Sequence, residues 1–463
     1  MFDNLILDTD SYKASHWLQY PPGTQGAFFY VESRGGQYDR TVFFGLQAIL
    51  KAQLARPVTH AQVDEARDLF AGHGEPFNEA GWRHIVDAHV GRLPVRIRAV
   101  PEGTVVPTHQ VLMTVENTDP ACFWLPSYLE TLLLRVWYPT TVATISWHVK
   151  QAIRAALEAT SDDVPAELPF KLHDFGSRGV SSQESAALGG LAHLVNFRGS
   201  DTVVALLAGR AWYHEPMAAT SIPAAEHSTI TSWGRDREGE AYRNMLERFG
   251  KPGALFSVVS DSYDLFHAVR DLLGGELREA IIASGATVVV RPDSGDPVTM
   301  VGETLRMLDE AFGSSVNSKG FKVLNHVRVI QGDGVNPVSI GQILERVTAL
   351  GFSVDNLAFG MGGGLLQHLN RDTQQFALKC SAAKVDGEWI GVSKDPVTDP
   401  GKKSKAGRLM LQKNAAGDFR TVAIGEAGAQ DAGWRDALDL VWENGRLVRD
   451  QTFDEVRALS EGA

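Results

Sequence analysis

Between residues 170 and 375 the chain alternates short apolar runs with longer amphipathic stretches, and nearly every run ends in a polar loop containing Gly, Asp or Ser. The runs at 170–175, 217–222, 255–259, 286–290, 327–330 and 357–359 read as strands. The stretches after them predict helices: 182–196, one opening in AAEHSTITSW, one from about Tyr263, one through Phe312, one over 337–350, and one after GMGGG that carries HLNRD. Residues 201–207 open a further unit. Strands alternating with helices of this length imply parallel pairing through right-handed crossovers, and about six such units favour a barrel over a split sheet.

The flanks have a different texture. VRIRAV and TVVPTHQVLMTVEN predict short antiparallel strands, and 123–160 reads as core helix broken near Pro139. After residue 376 come three hairpins, with turns at Val-Asp-Gly, Ala-Gly-Asp and Asn-Gly. This second β-rich layer could pack with the N-terminal strands and make the first domain discontinuous. The expected organisation is residues 1–165 plus 376–463 as an α+β domain, around an α/β barrel domain at 166–375.

Composition narrows the function. The 463 residues exceed one ordinary core. A net charge of −12 argues against nonspecific nucleic-acid binding, which needs excess Lys and Arg. The N-terminus lacks the look of a signal peptide, and no apolar run is long enough for a membrane span, so a cytoplasmic protein is expected. The two cysteines, Cys122 and Cys380, form no CxxC pair, which argues against a structural zinc or a disulfide framework.

Chemistry collects where the expected strands end. DFGSRG places a ring (Phe175) beside a fixed cation (Arg178), and Asp201 follows the next helix. Together they could hold a flat polar heterocycle beside a phosphate. RPDSGDP pairs Arg291 with Asp293; the cation suits a phosphate, the acid ribose hydroxyls or magnesium. QGDG repeats the acid at Asp333, and FGMGGG offers bare backbone N–H groups to a phosphate. Arg371, Lys379, Lys394, Lys402, Lys403 and Lys405 add positive charge, which in an acidic chain points to an anionic small molecule. HExxH, GxSxG, Walker A and GxGxxG patterns are absent.

DTDSYKASH, KLHDFGSRGVSSQE, HLVNFRGSDT, SIPAAEHSTIT, VVSDSYD, RPDSGDP, VIQGDG, FGMGGGLLQ and KDPVTDP together resemble the nicotinamide phosphoribosyltransferase family over nearly the whole chain. The resemblance implies an irregular α/β barrel with a discontinuous β-rich domain, acting as a homodimer with shared active sites. It implies phosphoribosyl transfer from 5-phosphoribosyl 1-pyrophosphate to nicotinamide in NAD salvage, with Mg2+ accompanying the pyrophosphate. ATP hydrolysis would be coupled through phosphorylation of His227.

Carried over residue by residue, Phe175 and a partner subunit's Tyr12 would sandwich the pyridine ring. Asp10 lies in the same N-terminal motif as Tyr12 and is assigned to substrate binding with it. Asp201 would accept from the carboxamide, with Ser257 and Arg291 around the same group. Arg178 would contact nicotinamide or pyrophosphate. Asp293 and Asp333 would hold ribose hydroxyls, and Gly332, Gly362 and Gly363 would line the 5′-phosphate pocket. Arg34, Arg371, Lys379 and Lys394 would hold phosphate and pyrophosphate, and Asp261 would be an active-site acid. His227, Asp261 and Asp293 are the expected catalytic residues. Two positions depart from the pattern: Ser177, where a Tyr is usual, and Met361, where a small polar residue is usual. The same transfer to nicotinate is one alternative, and a non-catalytic binding protein on the same fold is another.

Overall fold

The computed structural model describes residues 3–394, 404–426 and 429–462. Lys402 and Lys403, and most of KDPVTDP, lie outside them. The chain divides into two compact units: Met1–Thr144, Arg210–Glu215 and Asn370–Ala463 form the first; Ile145–Gly209 and Pro216–Leu369 form the second. The division falls at residues 144/145 and 369/370, where the pattern had suggested 165/166 and 375/376.

The first unit is built on a seven-stranded antiparallel sheet. Thr24–Ser33 lies between Phe376–Val385 and Val111–Asn117. Val95–Ala99 and Asp439–Glu443 continue one flank, and Glu388–Gly391 ends the other. N-terminal and C-terminal strands therefore share one sheet. Thr24–Ser33 is buried at nearly every position, so its sequence runs apolar without alternation; Val95–Ala99 is covered on one face and alternates. The Asp386-Gly387 and Asn444-Gly445 turns have positive φ at both residues, as two-residue hairpins with the strands' twist require.

The predicted break at Pro139 is misplaced. Short helices Leu125–Tyr128 and Glu130–Leu134 precede a helix over Trp137–Thr160, and Pro139 sits in its first turn. There its missing N–H has no intrahelical partner to lose.

In the second unit six parallel strands stand in the order Gly199–Ser200, Leu172–Asp174, Leu357–Met361, Val327–Gln331, Thr287–Arg291, Leu255–Val259. Crossover helices start where the sequence marks them. Ser182 caps Gln183–Leu194, Asp296 and Pro297 start Pro297–Phe312, and Asn336 and Pro337 start Pro337–Ala349.

The run at 217–222 is not a strand. The segment at 220–225 nevertheless spans the gap between the two outer strands by single bridges: Thr220 to Gly199, and Ala224 to Ser257. Four backbone hydrogen bonds secure it. Thr220 N–H donates to Arg198 O (2.9 Å), Ser200 N–H to Thr220 O (3.4 Å), Ala225 N–H to Ser257 O (2.9 Å) and Ser257 N–H to Pro223 O (2.8 Å). Pro223 lacks the N–H a ladder needs, so the ring closes as an irregular seam. The expected irregular α/β barrel is the observed fold.

The helix expected to carry HLNRD is also corrected. Gly363–Leu366 is a single turn, and Asn370 caps a separate turn over Arg371–Thr373. Glycines are poor helix formers, and Asn prefers to start a turn.

Candidate active site

Alternate residues of the parallel strands point into the ring and line a cavity of about 350 Å3. Lys171, His173 and Phe175 come from one strand and its approach, Leu255 and Ser257 from another, and Thr287, Val289 and Arg291 from a third. Asp201 and Ser221 complete the wall. Four predicted residues — Phe175, Asp201, Ser257 and Arg291 — thus share one cavity.

Each is held from behind. Phe175 N–H donates to Met361 O at 3.1 Å, and Asp201 N–H to Asp174 O at 3.0 Å. Asp174 is fully buried, and its Oδ1 accepts from Gly176 N at 2.7 Å, which fixes the turn carrying Phe175. Burial raises the Asp174 carboxyl above its usual range. Ser221 Oγ donates to Asp201 Oδ1 at 2.7 Å, leaving Oδ2 for another donor. Arg291 pairs with Asp293 at 2.6 Å through Nη2, while its buried Nε has no hydrogen-bond partner among the described residues.

The glycines make room for close packing. A Cβ at Gly360 would lie 1.9 Å from the Phe175 ring, and one at Gly332 would meet Asp293 Oδ1 at 3.2 Å and Phe175 at 3.5 Å. At Gly362 it would meet Phe175 O at 3.2 Å, and at Gly363 the His368 ring at 3.2 Å. Met361 is fully buried.

His227 starts a short helix, and its Nε2 lies 2.9 Å from Asp261 Oδ1. The imidazole is half-exposed and Asp261 almost buried, so the carboxylate orients the ring rather than solvent. Arg178 and Asp333 are exposed and lie outside the cavity wall.

The remaining predicted residues lie in the first unit. Arg34 pairs with Glu32 at 2.8 Å, a carboxylate that Lys405 also contacts. Lys379 approaches Glu130 at 3.9 Å, which is also paired with Lys13. Burial lowers the Lys379 ammonium, Glu130 opposes the fall, and Arg34, Lys394 and Lys13 add to it. Several cations therefore crowd one region with few acids between them, a setting that favours a polyanion. Lys394 is exposed, and Arg371 pairs with its neighbour Asp372. Asp10 accepts from Thr131, and Tyr12 is 54% exposed.

Sequence reasoning missed His173 and Ser221. The spacing of His173 two residues before Phe175 was the available signal, since strand alternation puts both on the inner face. Burial lowers the His173 imidazole, so it lines the cavity as a neutral group.

Residues 170–438 match the nicotinate phosphoribosyltransferase (NAPRTase) family, and residues 4–97 match the N-terminal domain of nicotinamide phosphoribosyltransferase. The chain is 66% identical over 462 residues to a nicotinamide phosphoribosyltransferase of Xanthomonas campestris pv. campestris (strain 8004), covering 100% of this chain and 99% of that one. The chain belongs to the nicotinamide phosphoribosyltransferase family. A second member, from Acinetobacter baylyi, is 32% identical, covering 98% and 96% of the two chains. Among solved structures, nicotinate-nucleotide pyrophosphorylase from Pyrococcus furiosus shares the fold, with a TM-score of 0.64 at 16% identity, covering 100% of this chain and 96% of that one. Human nicotinic acid phosphoribosyltransferase does so at 0.55 and 19%, covering 98% and 93%. Among the described residues of this family member, no helix is long and apolar enough to cross a membrane.

Proposed function

We propose that the chain transfers the phosphoribosyl group of 5-phosphoribosyl 1-pyrophosphate to nicotinamide, in NAD salvage. The pyridine nitrogen attacks C1 of the ribose, the C1–O bond to pyrophosphate breaks, and nicotinamide mononucleotide and pyrophosphate leave. The developing positive charge on the ribose needs little covalent help, so positioning and stabilisation of the leaving pyrophosphate carry the catalysis.

The observation that carries the reading is Asp201 in the cavity wall, held by Ser221, beside Phe175 and Arg291. A carboxamide donates from its NH2 to the open Asp201 oxygen, and its carbonyl accepts from the unpartnered Arg291 Nε–H. Nicotinate has no such NH2, and its carboxylate would face Asp201 with like charge. Phe175 supplies one face of the ring stack, and the exposed Tyr12 of a second copy would supply the other, which makes the working form a homodimer with shared sites. Magnesium would arrive with pyrophosphate and supply charge neutralisation there; the carboxylates of Asp261 and Asp293 are hard oxygen donors that suit it. Asp293 and Asp333 would hold ribose hydroxyls, and the cations Arg34, Arg371, Lys379 and Lys394 the phosphates.

His227 would take the γ-phosphoryl of ATP. Asp261 holds one ring nitrogen, which leaves the other as nucleophile; the N–P bond forms as the P–O bond to ADP breaks.

Purified protein given phosphoribosyl pyrophosphate, magnesium and either base tests the reading. Mononucleotide should form from nicotinamide and hardly from nicotinate. Asp201→Asn should weaken use of nicotinamide by about tenfold or more, since a charge-assisted hydrogen bond is worth about 1.5–3 kcal/mol, and should narrow the gap to nicotinate. Unchanged selectivity in that variant removes Asp201 from the discrimination. His227→Ala should keep basal transfer and lose its stimulation by ATP; equal stimulation rules out a phosphohistidine at this position.

A further inference from the structure

We propose that His84, His89, Asp119 and Cys122 form a structural zinc site in the first unit. Cys122 and Cys380 form no CxxC pair. The fold instead gathers four donors of three kinds. His84 and His89 lie on the helix Glu79–His89, while Asp119 caps the short turn Pro120–Cys122 and Cys122 ends it. Both imidazoles aim Nε2 at one oxygen, Asp119 Oδ2, each at 2.7 Å. The rings meet edge to face, with centroids 5.5 Å apart. The ligand atoms of His84, Asp119 and Cys122 all lie within 4.8 Å of one another; His89 falls outside that mutual distance and reaches the group through Asp119 Oδ2.

The turn is already set in the form a metal needs. Asp119 Oδ1 is occupied by Ala121 N–H (2.9 Å), which leaves Oδ2 to face the imidazoles. Asp119 O accepts from Cys122 N–H at 3.0 Å and from Asn117 Nδ2 at 2.8 Å, fixing the loop that presents the thiol. Cys122 is fully buried and the three other side chains partly so, giving an enclosed sulfur and a solvent-facing rim by which an ion could enter.

The donor set selects the metal. One thiolate, two imidazoles and one carboxylate suit zinc, and are poor for magnesium or calcium. Tetrahedral zinc holds N and O at about 2.0–2.2 Å and S at about 2.3 Å, so neighbouring ligand atoms sit roughly 3.3–3.6 Å apart. The Nε2–Oδ2 pairs must therefore open by about 0.6 Å, and the His89 ring must turn in toward His84 and Cys122 to complete the tetrahedron. On binding, Cys122 releases its thiol proton to solvent, the Nε2 proton that each imidazole directs at Asp119 Oδ2 leaves or moves to Nδ1 so that Nε2 can coordinate, and the two anionic ligands neutralise the ion. With His89 turned in, four protein ligands close the site. Zinc here would brace the C-terminal end of Glu79–His89 against the turn after Val111–Asn117, apart from any magnesium that accompanies pyrophosphate.

The test uses the full chain, stripped with a chelator, dialysed, and titrated with Zn2+ or Co2+ alone. One equivalent of zinc should bind, and X-ray absorption of the zinc-loaded wild type should show one sulfur and three nitrogen or oxygen neighbours. Cobalt should give the intense visible bands of a tetrahedral site and a thiolate charge-transfer band. Cys122→Ser should abolish the charge-transfer band and Cys380→Ser should keep it; His84→Ala should weaken zinc binding by about tenfold or more. No uptake by the wild type, a zinc shell without sulfur, or octahedral cobalt would each overturn the proposal, and none of these readings depends on a variant folding.

Discussion

Phe175 shows how one side chain governs its neighbours. Its ring occupies the space where a Cβ at Gly360 would stand, so the smallest residue on the strand Leu357–Met361 is a consequence of the largest one beside it. Gly360→Ala must push the ring away, because the contact is with the ring itself and not with a flexible tip. The expected result is a KM for nicotinamide raised by up to about tenfold, since lost stacking is worth about 0.5–1.5 kcal/mol. In a double-mutant cycle with Phe175→Ala the two effects should not add; full additivity would mean that Gly360 acts elsewhere. Much at this scale was legible. Phe175, Asp201, Ser257 and Arg291 were all marked by the sequence. Ser221 was not, because a serine in a loop announces no partner, and its bond to Asp201 needs the fold. Gly332 was marked only through the family resemblance, as lining a phosphate pocket; that a ring and an acid stand against it needs the fold.

At the scale of elements, the barrel closes through its weakest member. Prolines bracket the segment after Tyr213, and isolated bridges at Thr220 and Ala224 join it to the outer strands. The sequence marked this run as strand-like because it is apolar. Hydrogen bonding decided otherwise, since Pro216 and Pro223 cannot donate. Caps at Ser182, Asp296 and Asn336 were legible because each is a local bond between neighbours. The helix after GMGGG was not, since glycine's poor propensity there outweighs the residues after it. Ala225→Pro removes the N–H that donates to Ser257 O and leaves that acceptor unpaired. A loss of about 1–3 kcal/mol in stability is expected from denaturant unfolding, together with lower turnover. Unaltered stability would show that the seam carries no part of the closure.

For the whole molecule, acid is the informative stress. His193 is fully buried; its Nε2 donates to Leu172 O at 3.2 Å, and Nδ1 accepts from Ser146 Oγ at 3.0 Å. Burial, with His173 adding to it, lowers the His193 imidazole from 6.5 to about 3. The folded form therefore holds it neutral, while the unfolded chain protonates it near 6.5. Its contribution is fully present above 6.5 and is lost as the pH falls from there toward 3, by up to about tenfold in the folding constant per pH unit. Unfolding followed over that window should be less steep in His193→Asn; an identical slope would exclude His193 as a source of acid sensitivity. The sequence could flag His193 as a histidine in an apolar helix but not its burial, which depends on what packs over it.

The sheet order of the first unit also fixes a schedule. Thr24–Ser33 pairs on one side with Val111–Asn117 and on the other with Phe376–Val385, and all the strands of the parallel ring are encoded in between. A ribosome releases the first neighbour, ending at Asn117, early and the second, starting at Phe376, roughly 260 residues later, at roughly 5–20 residues per second. For tens of seconds the nascent chain thus carries an apolar strand with one unpaired edge, while the ring behind it can already assemble. Newly made protein has a period of exposure that the finished molecule does not, and holding chaperones would have their work at that edge.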